Sequence, residues 1–352
     1  MALITNLTLT EIKKEIARRN TKLKEFAEMY AATTWDRIRL DVLEMSAEDL
    51  AEKYPIGTEL VCGYTLGGVT YDFPWVVLDN ARECEWEDGT KHQGLWLGAK
   101  YATIEDIQFD APEGVTITAD DETTAEEGYY YCGISGSTYA MLNLAAGDAI
   151  PFGSYDSIRK GTINNSGVYQ YGYNRYRDSA QRQWLNSDAA AGAWWTATHY
   201  GDNEPAQLAS RPGFMACLDK DFLNVVRPVR VQAATNTVTD GGLTDVMYDR
   251  FFLQSLEEMY GVPQAPGEEG AYFPYWKEIL GLDAPTNGSG SDTNPARQIR
   301  RINNPQGSAS YVRLRSCYRG YAHNQWNCYA SGYLTGNGAN GSFAAVPACV
   351  IS

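Results

Sequence analysis

The chain has 352 residues, of which 44% are hydrophobic and 21% are charged, and its formal net charge is -15 at pH 7. This composition is typical of a globular protein with one large domain or two, and it excludes extensive disorder. The acidic balance argues against nucleic acid and anionic membranes as partners, because both require a positively charged protein surface.

The seven cysteines are odd in number and widely scattered, which favours free thiols in a reducing compartment over a disulfide framework. The first residues, MALITNLTLTEIKKEIARR, lack the order of basic start, apolar run and small-residue cleavage site of an export signal. No apolar run approaches the ~20 residues of a membrane span. The sequence therefore predicts a protein made in the cytoplasm without a signal peptide and without a membrane partner.

Residues 1–50 are predicted to form an N-terminal helical segment. Thr8 and Glu11 have the spacing of a capping box, and Ser46 caps a second helix that ends near Tyr54, since a proline follows. Three roles are open for this segment: packing on the main domain, pairing with copies of itself, or docking into a larger assembly.

From residue 51 onward the pattern changes to that of a second, larger domain. The runs TELVCGYTL, VTYDFPWVVLDN, LWLGA and FLNVVRPVRVQA are bounded by turn residues and predict strands. Residues 103–128 are acidic and polar, and they are predicted to form a solvated excursion.

Helices are predicted at three later places. The stretch Arg177–Ala189 has helical composition and places Trp184 and Leu185 on its apolar side. FFLQSLEEMYG and YFPYWKEILG predict short amphipathic helices, each ended by a glycine, within a helical insertion at about 240–292. NGSGSDTNP then predicts a flexible connector. The fold class that follows is α+β.

The segment Tyr311–Ser352 differs from the rest of the chain. It is rich in Tyr, Gly, Ser, Asn and Ala, and the only charged residues after Asp292 are arginines. Antibody loops use the same residues, because tyrosine gives a large contact area while Ser, Gly and Asn give adaptable hydrogen bonds. The sequence predicts a contact surface here, weakly basic on an acidic body.

Catalytic and metal-binding patterns are weak. The three histidines are far apart, and none has a zinc spacing or lies beside a serine elbow. The glycines of GNGANG lack the strand, helix and acid of a dinucleotide site. The nearest calcium candidates are Asp202, Asn203 and Glu204, and the tripeptide Trp326, Asn327 and Cys328, which has no acid. We therefore expect no enzyme activity, no cofactor and no metal site.

Two stretches carry a resemblance to known families. SAQRQWLNSDAAAGAWWTATH resembles the core of an uncharacterised domain family of gut phages and prophages. VRLRSCYRGYAHNQWNCYASGYLTGNGANGSFAAVPACVI resembles the variable repeat of proteins diversified by retroelements, which share the C-type lectin fold. The resemblance is close over residues 312–351 and loose over 51–352. It implies a C-type lectin-like ligand-binding domain over 51–352, with a variable region at about 311–345.

In that family, errors at template adenines rewrite selected positions, most often from Asn codons. Such rewriting never produces Lys, Glu or Met, and the chain has none of these after Tyr311. Carried onto this sequence, the variable, ligand-binding positions are Cys317, Tyr318, Tyr321, His323, Cys328, Tyr329, Ala330, Tyr333, Thr335, Gly336, Gly338, Gly341 and Phe343. The resemblance assigns the scaffold to Arg313, Leu314, Asn324, Trp326, Asn327, Leu334, Ala339, Asn340, Val346, Pro347 and Ile351.

The resemblance implies a phage-encoded receptor-binding or tail-associated protein of the virion. Its ligand would be a bacterial surface protein or glycan, its other partners would be virion proteins, and its assembly would be a homotrimer. Two alternatives stay open at this point. One is an enzyme of the formylglycine-generating type, which has the same fold and uses cysteines such as Cys317 and Cys328. The other is a virion decoration protein that binds no ligand and has no variable region.

Overall fold

The computed structural model describes residues 13–14, 16–21, 34–134, 138–161, 165–264, 269–282 and 294–352. The capping box at Thr8 and Glu11 and most of the predicted connector lie outside these ranges. Residues 16–21 are helical, as predicted for the N-terminal segment. In the described part of the chain, no helix combines the length and the apolarity that a bilayer crossing requires.

Short helices and many short strands are mixed along the chain. The helices are α1 (Thr34–Glu44), α2 (Ala47–Lys53), α3 (Ser166–Tyr171), α4 (Ala180–Leu185), α5 (Lys220–Val225) and α6 (Leu256–Tyr260). The strands are β1 (Glu59–Leu66), β2 (Val69–Asp79), β3 (Glu83–Glu85), β4 (Lys91–Gln93), β5 (Leu95–Ala99), β6 (Ile107–Gln108), β7 (Val115–Ile117), β8 (Gly128–Ile134), β9 (Thr138–Leu144), β10 (Ser157–Gly161), β11 (Val229–Ala234), β12 (Thr244–Asp249), β13 (Phe252–Leu253), β14 (Arg300–Arg301), β15 (Asn304–Ala309), β16 (Val312–Cys317), β17 (Asn324–Cys328), β18 (Leu334–Gly338), β19 (Ser342–Phe343) and β20 (Pro347–Ile351). The α+β prediction is confirmed.

The central sheet has five antiparallel strands in the order β1-β2-β5-β20-β13. Every residue of β5 and of β20 is buried, which is why these strands read as continuous apolar runs rather than alternating ones. The last strand therefore lies inside the sheet, where Val350 pairs with Trp96. The predicted strands β1, β2 and β5 are confirmed.

Helices α1 and α2 pack on the main domain. Trp35, Ile38 and Val42 form the buried stripe of α1, and the Trp35 ring lies 4.5 Å from that of Phe222 in α5. Ser46 caps α2 as predicted, by accepting a hydrogen bond from the backbone N–H of the residue three positions on. For residues 34–53, this contact supports packing on the main domain, which is one of the three roles that the sequence left open.

The prediction of a solvated excursion at residues 103–128 was wrong for much of its length. Ile107 and Phe109 are fully buried, and the buried Glu105 carboxylate accepts a hydrogen bond of 2.6 Å from the Tyr64 hydroxyl. Strands β7, β10, β8 and β9 form a separate four-stranded sheet with a small apolar core of its own. Polar composition was misleading because internal hydrogen bonds satisfy the buried carboxylate.

Two further predictions need correction. The apolar run before the proline at 228 forms helix α5, and only the part after it forms a strand, β11. The described residues of the region 240–292 do not form a helical insertion: β12 pairs along its whole length with β11, and β13 joins the central sheet. Among those described residues, α6 and the π-helical segment Tyr275–Ile279 are the helical parts, and Gly261 ends α6 with φ 68° as predicted.

Candidate ligand-binding surface

The predicted variable region is built on a three-stranded sheet of β16, β17 and β18. Trp326 pairs with Gly336, and its neighbour Asn327 pairs with Thr335. Because successive side chains of a strand point to opposite faces, these two pairs lie on opposite faces of the sheet. The aromatic residues around the sheet divide accordingly into two clusters.

The first aromatic cluster consists of Tyr171, Tyr318, Tyr321 and His323, with Trp326 beneath it. The Tyr318 ring stacks on Trp326 with 4.5 Å between centroids and contacts the edge of Tyr321 at 5.2 Å. His323 lies between Tyr321 at 5.5 Å and Tyr171 at 5.3 Å. Tyr321 is 47% exposed, so the cluster presents an aromatic surface to solvent.

Glycines allow these rings to lie directly on the backbone. A Cβ atom at Gly336 would be 3.1 Å from the Tyr318 ring, and one at Gly338 would be 3.1 Å from the Tyr171 Cβ atom. At Gly167, in α3, a Cβ atom would be only 2.0 Å from Nδ1 of His323. The His323 ring can therefore occupy this position only because residue 167 is a glycine.

The second aromatic cluster consists of Tyr311, Tyr329, Tyr333 and Phe343. Tyr311 contacts the edge of Tyr329 at 4.1 Å and stacks with Phe343 at 5.5 Å, while Tyr329 stacks with Tyr333 at 4.5 Å. A hydrogen bond between the Tyr311 and Tyr329 hydroxyls raises the pKa of Tyr311 to about 12. Its rings and hydroxyl groups make this cluster amphipathic.

Arg313 lies beneath the second cluster. Its guanidinium is 4.3 Å from the centroid of the Phe343 ring and donates to the carbonyl oxygens of Asn337, Gly338 and Gly341, at 3.2, 2.6 and 3.0 Å. The side chain is almost fully buried, and burial lowers the pKa of Arg313 to about 9. This arginine thus holds the loop after β18 through backbone oxygens.

Arg315 is buried two residues further along the same strand, but it has carboxylate partners. It forms a two-point ion pair with Glu258, with N–O distances of 2.5 and 2.9 Å. It also donates to the carbonyl oxygens of Leu253 and Gln232, at 2.8 and 2.7 Å. This pair joins β16 to helix α6 and to the central sheet.

Most predicted variable positions lie at the surface. Eleven of the thirteen are at least partly exposed, and these are Tyr318, Tyr321, His323, Tyr329, Ala330, Tyr333, Thr335, Gly336, Gly338, Gly341 and Phe343. Nine of the eleven predicted scaffold positions are buried, and only Asn324 and Asn340 are partly exposed. Trp326, predicted as a core anchor, is 6% exposed.

Cys317 and Cys328 require correction as ligand-binding positions. Both are fully buried, so neither can contact a ligand at the surface. The Cys328 thiol donates to the carbonyl oxygen of Arg297 at 3.3 Å, and burial raises its pKa to about 11. Burial likewise raises the pKa of Cys317 well above its usual range. The assignment of these two cysteines to the surface was wrong. Sequence alone does not show whether a cysteine in a strand faces the core or the solvent.

The calcium candidates of the sequence lie in different settings. The carboxamide nitrogen of Asn203 donates to backbone carbonyls of residues 112, 114 and 201, which ties this side chain to the neighbouring loop. Asn327 lies within the buried strand β17 and accepts a hydrogen bond from Arg313 at 3.4 Å. Of these candidates, Asp202 joins a group of possible metal ligands with His199 of its own loop and Glu113 of another.

Comparison with protein families gives one match. A family model described as a domain of unknown function (DUF6273) matches residues 157–352, which is more than half of the chain. The chain belongs to the DUF6273 family. No curated protein and no solved structure matches it.

The DUF6273 region contains both aromatic clusters, but it contributes only β13 and β20 to the central sheet. Strands β1, β2 and β5 come from residues before the matched region and complete the sheet around β20. The surface therefore depends on the first part of the chain for its support.

Sequence reasoning missed Tyr171, which helix α3 carries into the first cluster. The backbone N–H of Asn340 donates to the carbonyl oxygen of Tyr171 at 2.6 Å, which fixes α3 against the loop after β18. Tyr171 and Asn340 are about 170 positions apart in the chain, so no local sequence signal could have identified their contact.

Proposed function

We propose that this protein is a phage-encoded, retroelement-diversified binding protein with a C-type lectin-like fold. It attaches to a bacterial surface protein or glycan through the two aromatic clusters, as a receptor-binding or tail-associated component of the virion. Its role is recognition rather than catalysis.

The observation that carries the proposal is the division of residues 311–352 by burial. Positions that the resemblance assigns to rewriting are mostly at the surface, whereas positions assigned to the scaffold are mostly buried. A protein that changes its recognition residues must keep them out of the core, because most core substitutions destabilise a fold by kilocalories per mole. The observed distribution has this property.

The character of the surface also fits recognition. Stacked tyrosines give large, rigid contact area at a small entropic cost, and the surrounding Gly, Thr, Ala and Asn residues allow varied neighbours. Single contacts of this kind are weak, and display in several copies, such as a homotrimer, multiplies their effect.

The burial of the two cysteines favours binding over an enzyme of the formylglycine-generating type. A reactive thiol needs a lowered pKa and access to solvent. The thiols of Cys317 and Cys328 have neither, since both are fully buried and the pKa of each is raised.

The genetic part of the proposal is tested by sequencing the gene from many isolates of one population. We expect substitutions to concentrate at the exposed variable positions, and a near-copy of the terminal coding segment, with adenines at those codons, beside a reverse transcriptase gene. Identical terminal segments in all isolates would contradict diversification and favour a decoration protein.

The binding part is tested on whole cells of a panel of gut bacteria. Tyr321→Ala removes the most exposed ring of the first cluster, and Tyr200→Ala is the matched control, because Tyr200 is 52% exposed and lies outside both clusters. We expect binding to any strain that the wild-type protein recognises to fall at least about tenfold for Tyr321→Ala, as for an interface anchor. Binding should be unchanged for Tyr200→Ala, and equal losses in both variants would remove the first cluster from the site.

A further inference from the structure

A group of metal-ligand side chains lies where two loops meet, away from the ring contacts of the two clusters. Glu113, His199 and Asp202 each offer one ligand atom, and these atoms all lie within 4.8 Å of one another. The loops are held together by their backbones, since the N–H of Gly114 donates to the carbonyl oxygen of Gly201 at 2.6 Å. His199 and Asp202 belong to one turn, and the fold brings Glu113 to them from the other loop.

Buried carboxylate oxygens surround this point. Oε1 of Glu113, Oδ1 of Asp202 and Oδ1 of Asp110 are buried and accept no hydrogen bond from an N–H or hydroxyl group of the described residues. Glu113 and Asp110 are 2% and 3% exposed, and their carboxyl groups hydrogen-bond to each other, which requires a proton on one of the two. Unsatisfied buried carboxylate oxygens are expensive, and a bound cation would satisfy those nearest to it.

The remaining oxygens and the imidazole are already oriented. Oε2 of Glu113 is 2.7 Å from Nε2 of His199, and Oδ2 of Asp202 accepts from the backbone N–H of Thr198 at 2.8 Å. The Thr198 hydroxyl lies 2.9 Å from Nδ1 of His199, which fixes the other side of the ring. Metal-binding histidines are commonly held through their second nitrogen in this way.

We propose that Glu113, His199 and Asp202 form a binding site for a divalent transition-metal ion of the Zn²⁺ type. The nitrogen of His199 distinguishes this class from Ca²⁺ and Mg²⁺, which prefer oxygen ligands alone. Zn²⁺ binds such atoms at about 2.0 to 2.2 Å, so tetrahedral neighbours lie about 3.3 to 3.6 Å apart. The ligand atoms, all within 4.8 Å of one another, reach this spacing by shifts of about 1 Å.

Three protein ligands leave a fourth position open. The His199 side chain is 26% exposed, so solvent reaches the site and can supply a water molecule as the fourth ligand. Asp110 lies behind Glu113, where burial, followed by the charge of Glu113, raises the pKa of Asp110 well above its usual range.

The ion would also fix one support of the first aromatic cluster. The N–H of Glu113 donates to the carbonyl oxygen of Val168 in α3, the helix that carries Gly167 and Tyr171. The site thereby joins the two loops to that helix. The proposal does not depend on what the clusters bind.

The test is calorimetric titration of metal-free, full-length protein with Zn²⁺. We expect one ion per chain for the wild-type protein, and at least about a hundredfold weaker binding for Glu113→Gln, His199→Gln and Asp202→Asn, since loss of even an outer partner of a metal ligand weakens binding 10- to 100-fold. His92→Gln and Glu204→Gln are matched controls outside the ligand set, and their affinity should equal that of the wild-type protein.

A second measurement needs no substitution within the site. The chain has three histidines, and their imidazole NMR signals can be assigned with His92→Gln and His323→Gln. Zn²⁺ should shift the His199 signals of the wild-type protein and leave the others in place. Absence of binding by folded wild-type protein, unmoved His199 signals, or tighter binding of Ca²⁺ than of Zn²⁺ would each overturn the assignment.

Discussion

The two aromatic clusters lie on the same small sheet but rest on different supports. Tyr318 of the first cluster stacks on Trp326, and its ring lies over a glycine. Tyr311 and Phe343 of the second cluster lie over Arg313, a buried cation. Its guanidinium donates hydrogen bonds to backbone carbonyl oxygens and to the side-chain amide oxygen of Asn327. A hydrocarbon support tolerates small shifts, because its contacts are non-directional. A buried guanidinium depends on every hydrogen bond that satisfies it.

The difference predicts that the second cluster is the more fragile. Arg313→Ala removes the donor shared by the carbonyls of Asn337, Gly338 and Gly341, of which that of Gly338 keeps the N–H of Gly341 as a partner. We expect a loss of about 3 kcal/mol in the free energy of unfolding, since each buried polar group left unpaired costs about 1 to 3 kcal/mol. Urea denaturation measures this loss.

Arg177→Ala is the matched control for that substitution. Arg177 is 42% exposed and pairs with Asp178 and Asp245 near the surface. Its loss should reduce stability by less than about 1 kcal/mol, as for other exposed ion pairs. If both variants lost the same amount, Arg313 would not be the support of the second cluster.

The first cluster has its own weak point at Gly167. A methyl group there would overlap the His323 ring, so Gly167→Ala must displace the ring or the helix. We expect a loss of about 1 to 3 kcal/mol, the usual range for overpacking, with displaced NMR signals of His323. Gly128→Ala serves as the comparison, because a Cβ atom at Gly128 meets no atom within 4 Å.

A stable Gly167→Ala variant with unmoved His323 signals would show that the ring does not need the glycine. It would also separate helix α3 from the first cluster. Because helix α3 carries both Gly167 and Tyr171, the comparison of the two glycine variants also tests whether Tyr171 belongs to the first cluster.

The sequence predicted local elements better than their partners. The cap at Ser46, the helix bearing Trp184 and the strands β1, β2 and β5 follow from caps, periodicity and composition within a few residues. Strand β12 was missed because its pairing with β11, rather than its own composition, makes it a strand.

The same limit applies to the site. The resemblance located the exposed positions on β18 and the adjoining loops, since these are local features of the terminal segment. It could not separate the two faces of the sheet, because that separation depends on what lies behind each strand. The burial of Cys317 and Cys328, and the contact between Glu113 and His199, are products of packing between distant segments.

The smallest expected effect is the dependence of stability on pH. It distinguishes the clusters because the first contains a histidine and the second does not. Burial lowers the pKa of His323 below its usual 6.5. The unfolded chain then takes up the proton first, so the stability due to the neutral imidazole is present above the unfolded pKa and decreases as the pH falls below it. In the second cluster, by contrast, the pKa of Tyr311 is raised to about 12, outside this range. We expect the NMR titration midpoint of His323 below 6.5, and a loss of stability between about pH 7.5 and about pH 5.5 that is smaller in His323→Gln. A midpoint above that value would mean that a nearby negative group, and not burial, governs the pKa of His323.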